Sequence, residues 1–337
     1  MKRLMLLALL AFSAAVMANA ATTCMYLSVG TSMVLQNDCT TDAPIVVPNG
    51  ITHNGVGHKI SAIDPPGDHF RGAIIQNSGA SASVINTVIE TVNLADYCES
   101  GANSLAGILF DGASGEITGN TILSVRKTST DGHLSSCQEG NAIEVMNFGA
   151  LSGRAKVNID GNQIRNYQKT GIVLNGEVDG TVTGNTVIGA GPQNYIGQNG
   201  IQIGSGASAR VSRNTVSDNS YTGSSTASGG IIVASGPLHR SEYSFGVQIA
   251  DNTLVGNDVG VWLMQMNDRR ESPVVQTHVQ VTNNTISNDA VNNGRTYQAA
   301  ITAHGNGDVI SGNRILGRGY DPATLPGKTL SIDDYRY

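Results

Sequence analysis

Charge is scarce in this chain. Only 14% of its 337 residues are Asp, Glu, Lys or Arg, against about 25% in ordinary globular domains. The 26 acidic residues outnumber the 20 basic ones, and the cations nowhere gather into runs. Nucleic acid and anionic lipid are therefore not expected partners. Beyond the first twenty residues no apolar stretch approaches the ~20 residues a membrane-spanning helix requires. Sustained helical periodicity is missing from the same region. Cysteine is limited to four residues, without the close C-x-x-C spacing of a zinc site, and the seven histidines are scattered without ligand spacing. No metal site is expected from either set.

What is present starts at the N-terminus. Lys2 and Arg3 precede an apolar run from Leu4 to Met17, and Ala18-Asn19-Ala20 forms a small-x-small cleavage pattern before Ala21. That is the layout of a secretory signal peptide over residues 1–20. Its removal would take the net charge from −6 to −8, because it carries two basic residues and no acidic one. A secreted or periplasmic protein meets an oxidising environment, so the cysteines should pair. Nearest-neighbour pairing, Cys24 with Cys39 and Cys98 with Cys137, is the expected one of three connectivities.

The body of the chain is a repeat. The phrase apolar, two residues, Asn, one residue, apolar occurs seven times, from Ile117-Thr-Gly-Asn120-Thr-Ile122 to Ile310-Ser-Gly-Asn313-Arg-Ile315. The asparagines are separated by 42, 23, 29, 38, 32 and 29 residues, a short unit lengthened by insertions, which is the signature of a solenoid. A second phrase, a small residue followed by apolar-x-apolar, precedes most copies, as in Gly171-Ile-Val-Leu and Gly200-Ile-Gln-Ile. Its period of two marks a strand with one buried face. Asn suits a sharp corner because it tolerates the left-handed conformation, and its amide can bond the Asn one coil above. These asparagines are read as structural.

The stacked G-I-x-I and V-x-x-N-x-V phrases resemble the right-handed parallel β-helix repeat of the pectin-lyase-like superfamily, over residues 105–317. The resemblance implies an all-β, single-domain solenoid. Residues 21–104 then form an N-terminal cap with irregular first coils, and residues 318–337 a C-terminal cap or tail. It says little of activity, since that scaffold carries lyases, hydrolases, epimerases, tailspikes and binding proteins. The Asn-Thr-Asp and Gly-His-Gly signatures of polygalacturonases are absent, as is the Asp-Pro-His-Asp motif of alginate epimerases.

Alternation within the G-I-x-I strands selects an outward column that includes Glu144, Gln202 and Trp262, with Asp111 and His304 one step further along their strands. Insertions at 126–139, 190–199, 217–229 and 288–298 precede this strand, and others at 147–156, 235–246 and 265–278 follow it. They should wall a groove on both sides. Tyr167, Tyr195, Tyr221 and Tyr297 each lie in a connection leading into the sheet of these strands, as do Glu139, Lys169, Gln198 and Asp258. Tyr and Trp present flat apolar faces with polar tips, which suits sugar rings. A polysaccharide or oligosaccharide is therefore the expected partner, bound by a monomer through Trp262, Tyr167, Gln202, His304 and Asp111.

Two chemistries fit these residue types. A polysaccharide lyase needs a cation for the sugar carboxylate and a base for the C5 proton, for which Lys169 with Tyr195 or Tyr167 would serve. This is the first expectation. An inverting glycoside hydrolase needs two separated carboxylates, which Asp111, Glu139 and Glu144 could supply. A non-catalytic glycan-binding scaffold is the third. No cofactor is implied; Ca²⁺ is left as an option, because the acidic balance disfavours a polyuronate unless a cation shields it.

Overall fold

A computed structural model describes residues 22–129, 131–149, 153–295 and 297–321. The expected signal peptide, and all but the first residues of the expected C-terminal tail, lie outside the described residues. Each regular coil contributes one short strand to each of three sheets, of nine, eleven and ten strands. One coil shows the pattern: Asn199–Gly204 lies in the nine-stranded sheet, Ser208–Ser212 in the eleven-stranded one and Thr215–Tyr221 in the ten-stranded one. The next coil repeats it with Gly229–Ser235, Gln248–Ala250 and Thr253–Val255. Pairing between coils is parallel and in register, so Ile172, Ile201, Ile231 and Val261 stack in one line. Among the strands of the described residues, the pair Tyr26–Val29 and Ser32–Leu35 is antiparallel, and it closes the N-terminal end. Strands before residue 105, such as Ala73–Ser78, already join the same sheets.

The inward register read from alternation is the one observed. Ile201, Ile203, Val211 and Val216 are all 0% exposed and belong to one interior cluster that runs the length of the solenoid. The small residue opening the G-I-x-I phrase has a steric cause. A Cβ on Gly200 would lie 2.2 Å from Val216 Cγ1 and 2.5 Å from the Gly230 carbonyl oxygen, so the corner closes only around a very small side chain.

The seven repeat asparagines form a continuous ladder between the eleven- and ten-stranded sheets. Asn185 Nδ2 donates to Asn214 Oδ1 at 2.9 Å, and the Asn185 backbone N–H donates to the same oxygen at 2.9 Å. Each Nδ2 also donates to a main-chain carbonyl, as Asn214 does to Val182 at 2.9 Å. The left-handed residue is not the ladder Asn itself, as the sequence reading had it. It is the residue before: Gly119, Gly161 and Gly184 have φ near +65°, and Arg213, Asp251 and Asn283 lie between +55° and +59°. The turn is made one residue early, which leaves the ladder side chain free to point into the corner.

Both expected disulfides are formed, Cys24–Cys39 with Cα atoms 5.0 Å apart and Cys98–Cys137 with 5.1 Å. The long connections rise on the two flanks of the nine-stranded sheet, as expected from their positions in sequence.

Candidate functional site

Two rows of side chains leave the outer face of the nine-stranded sheet. Register places Leu109, Glu144, Val173, Gln202, Ile232, Trp262 and Thr302 in one row. Asp111, Met146, Asn175, Gly204, Ala234, Met264 and His304 make the second. This floor is less open than alternation alone suggests. Val173 and Ile232 are each 3% exposed without joining the interior cluster, and Thr302 is fully buried. Glu144, Gln202 and Trp262 are half-buried and Asp111 is exposed, so these members of the floor reach solvent.

Glu144 accepts a hydrogen bond from Asn141 Nδ2 at 3.0 Å. The same arrangement recurs two coils on, where Asn199 Nδ2 donates to Gln202 Oε1 at 2.9 Å. Burial pushes the Glu144 carboxyl above the usual carboxylate range, and the neighbouring charge of Asp111 adds to the shift. Leu109 pairs with Glu144 and Asp111 with Met146, so Glu144 and Asp111 are diagonal neighbours on one face, with backbone positions about 7–8 Å apart.

Lys169 stands immediately before the strand Thr170–Gly176. Its Nζ donates to the Gly197 carbonyl at 2.8 Å, and burial draws the ammonium down to about 8. Tyr195, two residues before Gly197, is 37% exposed and stacks on His133 with ring centroids 4.6 Å apart and planes 22° off parallel. Lys169 and Tyr195 thus lie on neighbouring connections into the sheet. Trp262 leans on Tyr297 at 5.5 Å, and the Arg295 guanidinium lies 5.9 Å from the centre of the Tyr297 ring.

Other candidates do not reach the groove. Tyr167 is fully buried in the interior cluster, where its hydroxyl donates to Asn219 Oδ1 at 2.5 Å and burial pushes the phenol well above its ordinary value. It sits at the bridge between Val125 and Tyr167, so its ring fills a corner of the core instead of standing on a wall. Glu139 is also fully buried. It pairs with Lys127 Nζ at 2.9 Å and accepts the backbone N–H groups of Glu99 and Leu105 at 2.9 and 2.7 Å. The 126–139 insertion folds back over the 97–105 segment, which takes this carboxylate away from the sheet face. Gln198 and Asp258 are equally enclosed. Asp258 accepts from Ser220, Tyr221, Ser228 and Asn293, and ties two insertions together. His304 is 7% exposed, with burial lowering its affinity for a proton.

Sequence reasoning passed over Lys127, His133 and Tyr97. The nearness of Tyr97 to Cys98, whose disulfide partner lies in the His133 insertion, was the signal available for two of them. Among the described residues no group of three or more His, Cys, Asp and Glu could hold a metal ion. No helix among them is long and apolar enough to cross a membrane. A cleft of about 390 Å³ lined by Asn54, Val56, Asn86 and Thr121 lies away from this floor and has no titratable side chain in its lining, so it offers neither acid nor base.

These features define a parallel β-helix with a walled outer face. The chain belongs to the right-handed β-helix family, whose model, "Right handed beta helix region", matches residues 149–319. Among solved structures it is similar to the Dettilon tailspike protein, at 14% identity and a TM-score of 0.48. That match covers 86% of this chain and 56% of the tailspike chain. It is also similar to the periplasmic alginate epimerase AlgG, at 12% identity and a TM-score of 0.36, covering 89% of this chain and 77% of the epimerase. A mutant of the epimerase gives 12% identity and a TM-score of 0.40, with 85% of each chain covered. No curated protein matches the chain.

Proposed function

We propose that this is an exported glycan-active protein that binds a polysaccharide along the nine-stranded face and hydrolyses it with inversion, Glu144 acting as acid and Asp111 as base. The observation that carries the reading is the raised proton affinity of Glu144 beside a second carboxylate on the same open face. Carboxyl groups roughly 6.5–9.5 Å apart leave room for the attacking water of an inverting enzyme, and the diagonal placement of Asp111 and Glu144 allows their side chains to adopt that separation. Glu144 gives its proton to the glycosidic oxygen as the C1–O bond breaks. Asp111 takes a proton from the water whose oxygen bonds C1. The two disulfides support an oxidising compartment.

One observation favours the lyase reading: an ammonium drawn down to about 8 is suited to proton abstraction near neutral pH. Lys169 Nζ is taken up by a main-chain carbonyl, which makes the lyase the second choice, as does the loss of Tyr167 to the core.

Neutral polysaccharides and polygalacturonate should be incubated with the protein while new reducing ends and unsaturated-uronide absorbance are followed. Reducing ends without absorbance are expected, with turnover falling as pH rises through the raised Glu144 value. Glu144→Gln should lower turnover by about 10²–10⁴-fold, and Lys169→Ala should leave it nearly intact. Absorbance that depends on Lys169 would instead establish the lyase, and binding without any cleavage would remove catalysis altogether.

A further inference from the structure

Three exposed or half-buried tyrosines stand on the flank where chain enters the nine-stranded sheet, and each rests on another aromatic ring. Tyr97, 60% exposed, stacks on His69 at 4.5 Å with planes 23° off parallel. Tyr195 stacks on His133, and Tyr297 meets Trp262. The strands they lead into are evenly spaced. Tyr97 leads into Ala106–Asp111, Tyr195 into Asn199–Gly204 and Tyr297 into Ala299–His304. In the order of the sheet each of these strands lies three places from the next. Three steps at the strand spacing amount to about 14 Å, which about three pyranose rings of an extended chain would cover.

The first platform is held by buried structure, and the second is tethered to it. His69 is fixed by Glu99 at 2.7 Å, and its side chain is only 10% exposed. The Tyr97 carbonyl accepts Lys127 Nζ, and the Cys98–Cys137 disulfide ties the Tyr97 segment to the insertion that carries His133. Stacked rings held in place lose little freedom when a ligand covers them.

We propose that the three pairs are stacking stations for one long, neutral, equatorially linked glycan that runs parallel to the solenoid axis and meets a ring about every third sugar. This rests on the proposed glycan-binding reading and narrows its substrate. An equatorially linked pyranose has flat C–H faces that suit aromatic rings. The carboxylates of the floor and the acidic balance of the chain disfavour a polyanion.

The test uses oligosaccharides of about three to nine units, prepared from cellulose, xylan, mannan and polygalacturonate, with binding measured by calorimetry. Affinity for one neutral series should climb in steps with length. Tyr97→Ala and Tyr297→Ala should each weaken the longest member about tenfold and leave the shortest within about twofold, with Phe restoring binding at either position. A variant effect that is the same at every length overturns the proposal. So does affinity that does not grow with length, binding confined to the uronide series, or no binding of any neutral oligomer. Turnover of the Glu144→Gln protein is read separately. Length-dependent stacking with no Glu144-dependent cleavage leaves the stations standing and removes the hydrolase, whereas cleavage without length dependence does the opposite.

Discussion

Replacing Lys127 by Met should destabilise the protein by about 3–5 kcal/mol, the loss typical of breaking a buried ion pair from one side. The structure sets the size. Both side chains are 1% exposed or less, and Lys127 Nζ binds Glu139 Oε1 and the Tyr97 carbonyl. Removing it leaves a carboxylate enclosed with two backbone N–H donors and no countercharge. Glu139→Gln should cost about as much, because it leaves the buried ammonium without a countercharge. The pair taken together behaves differently. In Lys127→Met/Glu139→Gln no net charge is buried, and the Gln oxygen can still accept from Glu99 or Leu105, so the double variant should be more stable than either single one. Glu139→Leu in the same background should be worse, since the N–H groups of Glu99 and Leu105 would both lose their acceptor, at about 1–3 kcal/mol each. Urea midpoints at pH 7 for this set, with the slopes compared to check that the unfolded state is unchanged, measure the coupling. Additive single effects below about 1 kcal/mol would show that this pair does not hold the 97–105 segment.

Two further outcomes follow from buried groups. His53 is fully buried between the Tyr26 hydroxyl and Thr87 Oγ1, each at 3.2 Å, and burial draws it down from 6.5 to about 4. The unfolded chain then takes a proton before the folded one does. Stability should fall by up to about 3 kcal/mol as pH drops from about 6.5 to about 4, and His53→Gln should flatten that part of the urea-midpoint profile; an unchanged slope would refute the assignment. Asn214→Ala should cost about 2–4 kcal/mol, because the backbone N–H and amide of Asn185 both donate to the oxygen removed. The same change at Asn313, the half-exposed end of the ladder, should cost less than half as much by thermal unfolding.

Periodicity decides the fold of this chain locally. A strand with apolar residues at alternate positions, a small residue at its start and an Asn after each corner specifies one coil, and seven repetitions leave stacking as the way to bury the apolar faces. That is why the inward line through Ile172, Ile201 and Ile231, the Asn ladder and the flanks carrying the insertions could all be read before any coordinates. Glu144, Trp262 and Asp111 were legible for the same reason, since alternation assigns a face to every residue of a strand. Insertions obey no such period. Glu139 and Tyr167 have the composition of groove residues, and only the path of their connections shows one turned onto Lys127 and the other filling a corner beside Asn219. The regular step between Tyr97, Tyr195 and Tyr297 was hidden too, because insertions of unequal length make equal distances along the solenoid unequal along the sequence. The sequence by itself determined the coil and its two faces, through short-range alternation and steric fit. Tertiary structure alone decided which insertion residues meet, because those contacts join residues from about ten to about seventy apart through hydrogen bonds and charges that no local pattern encodes.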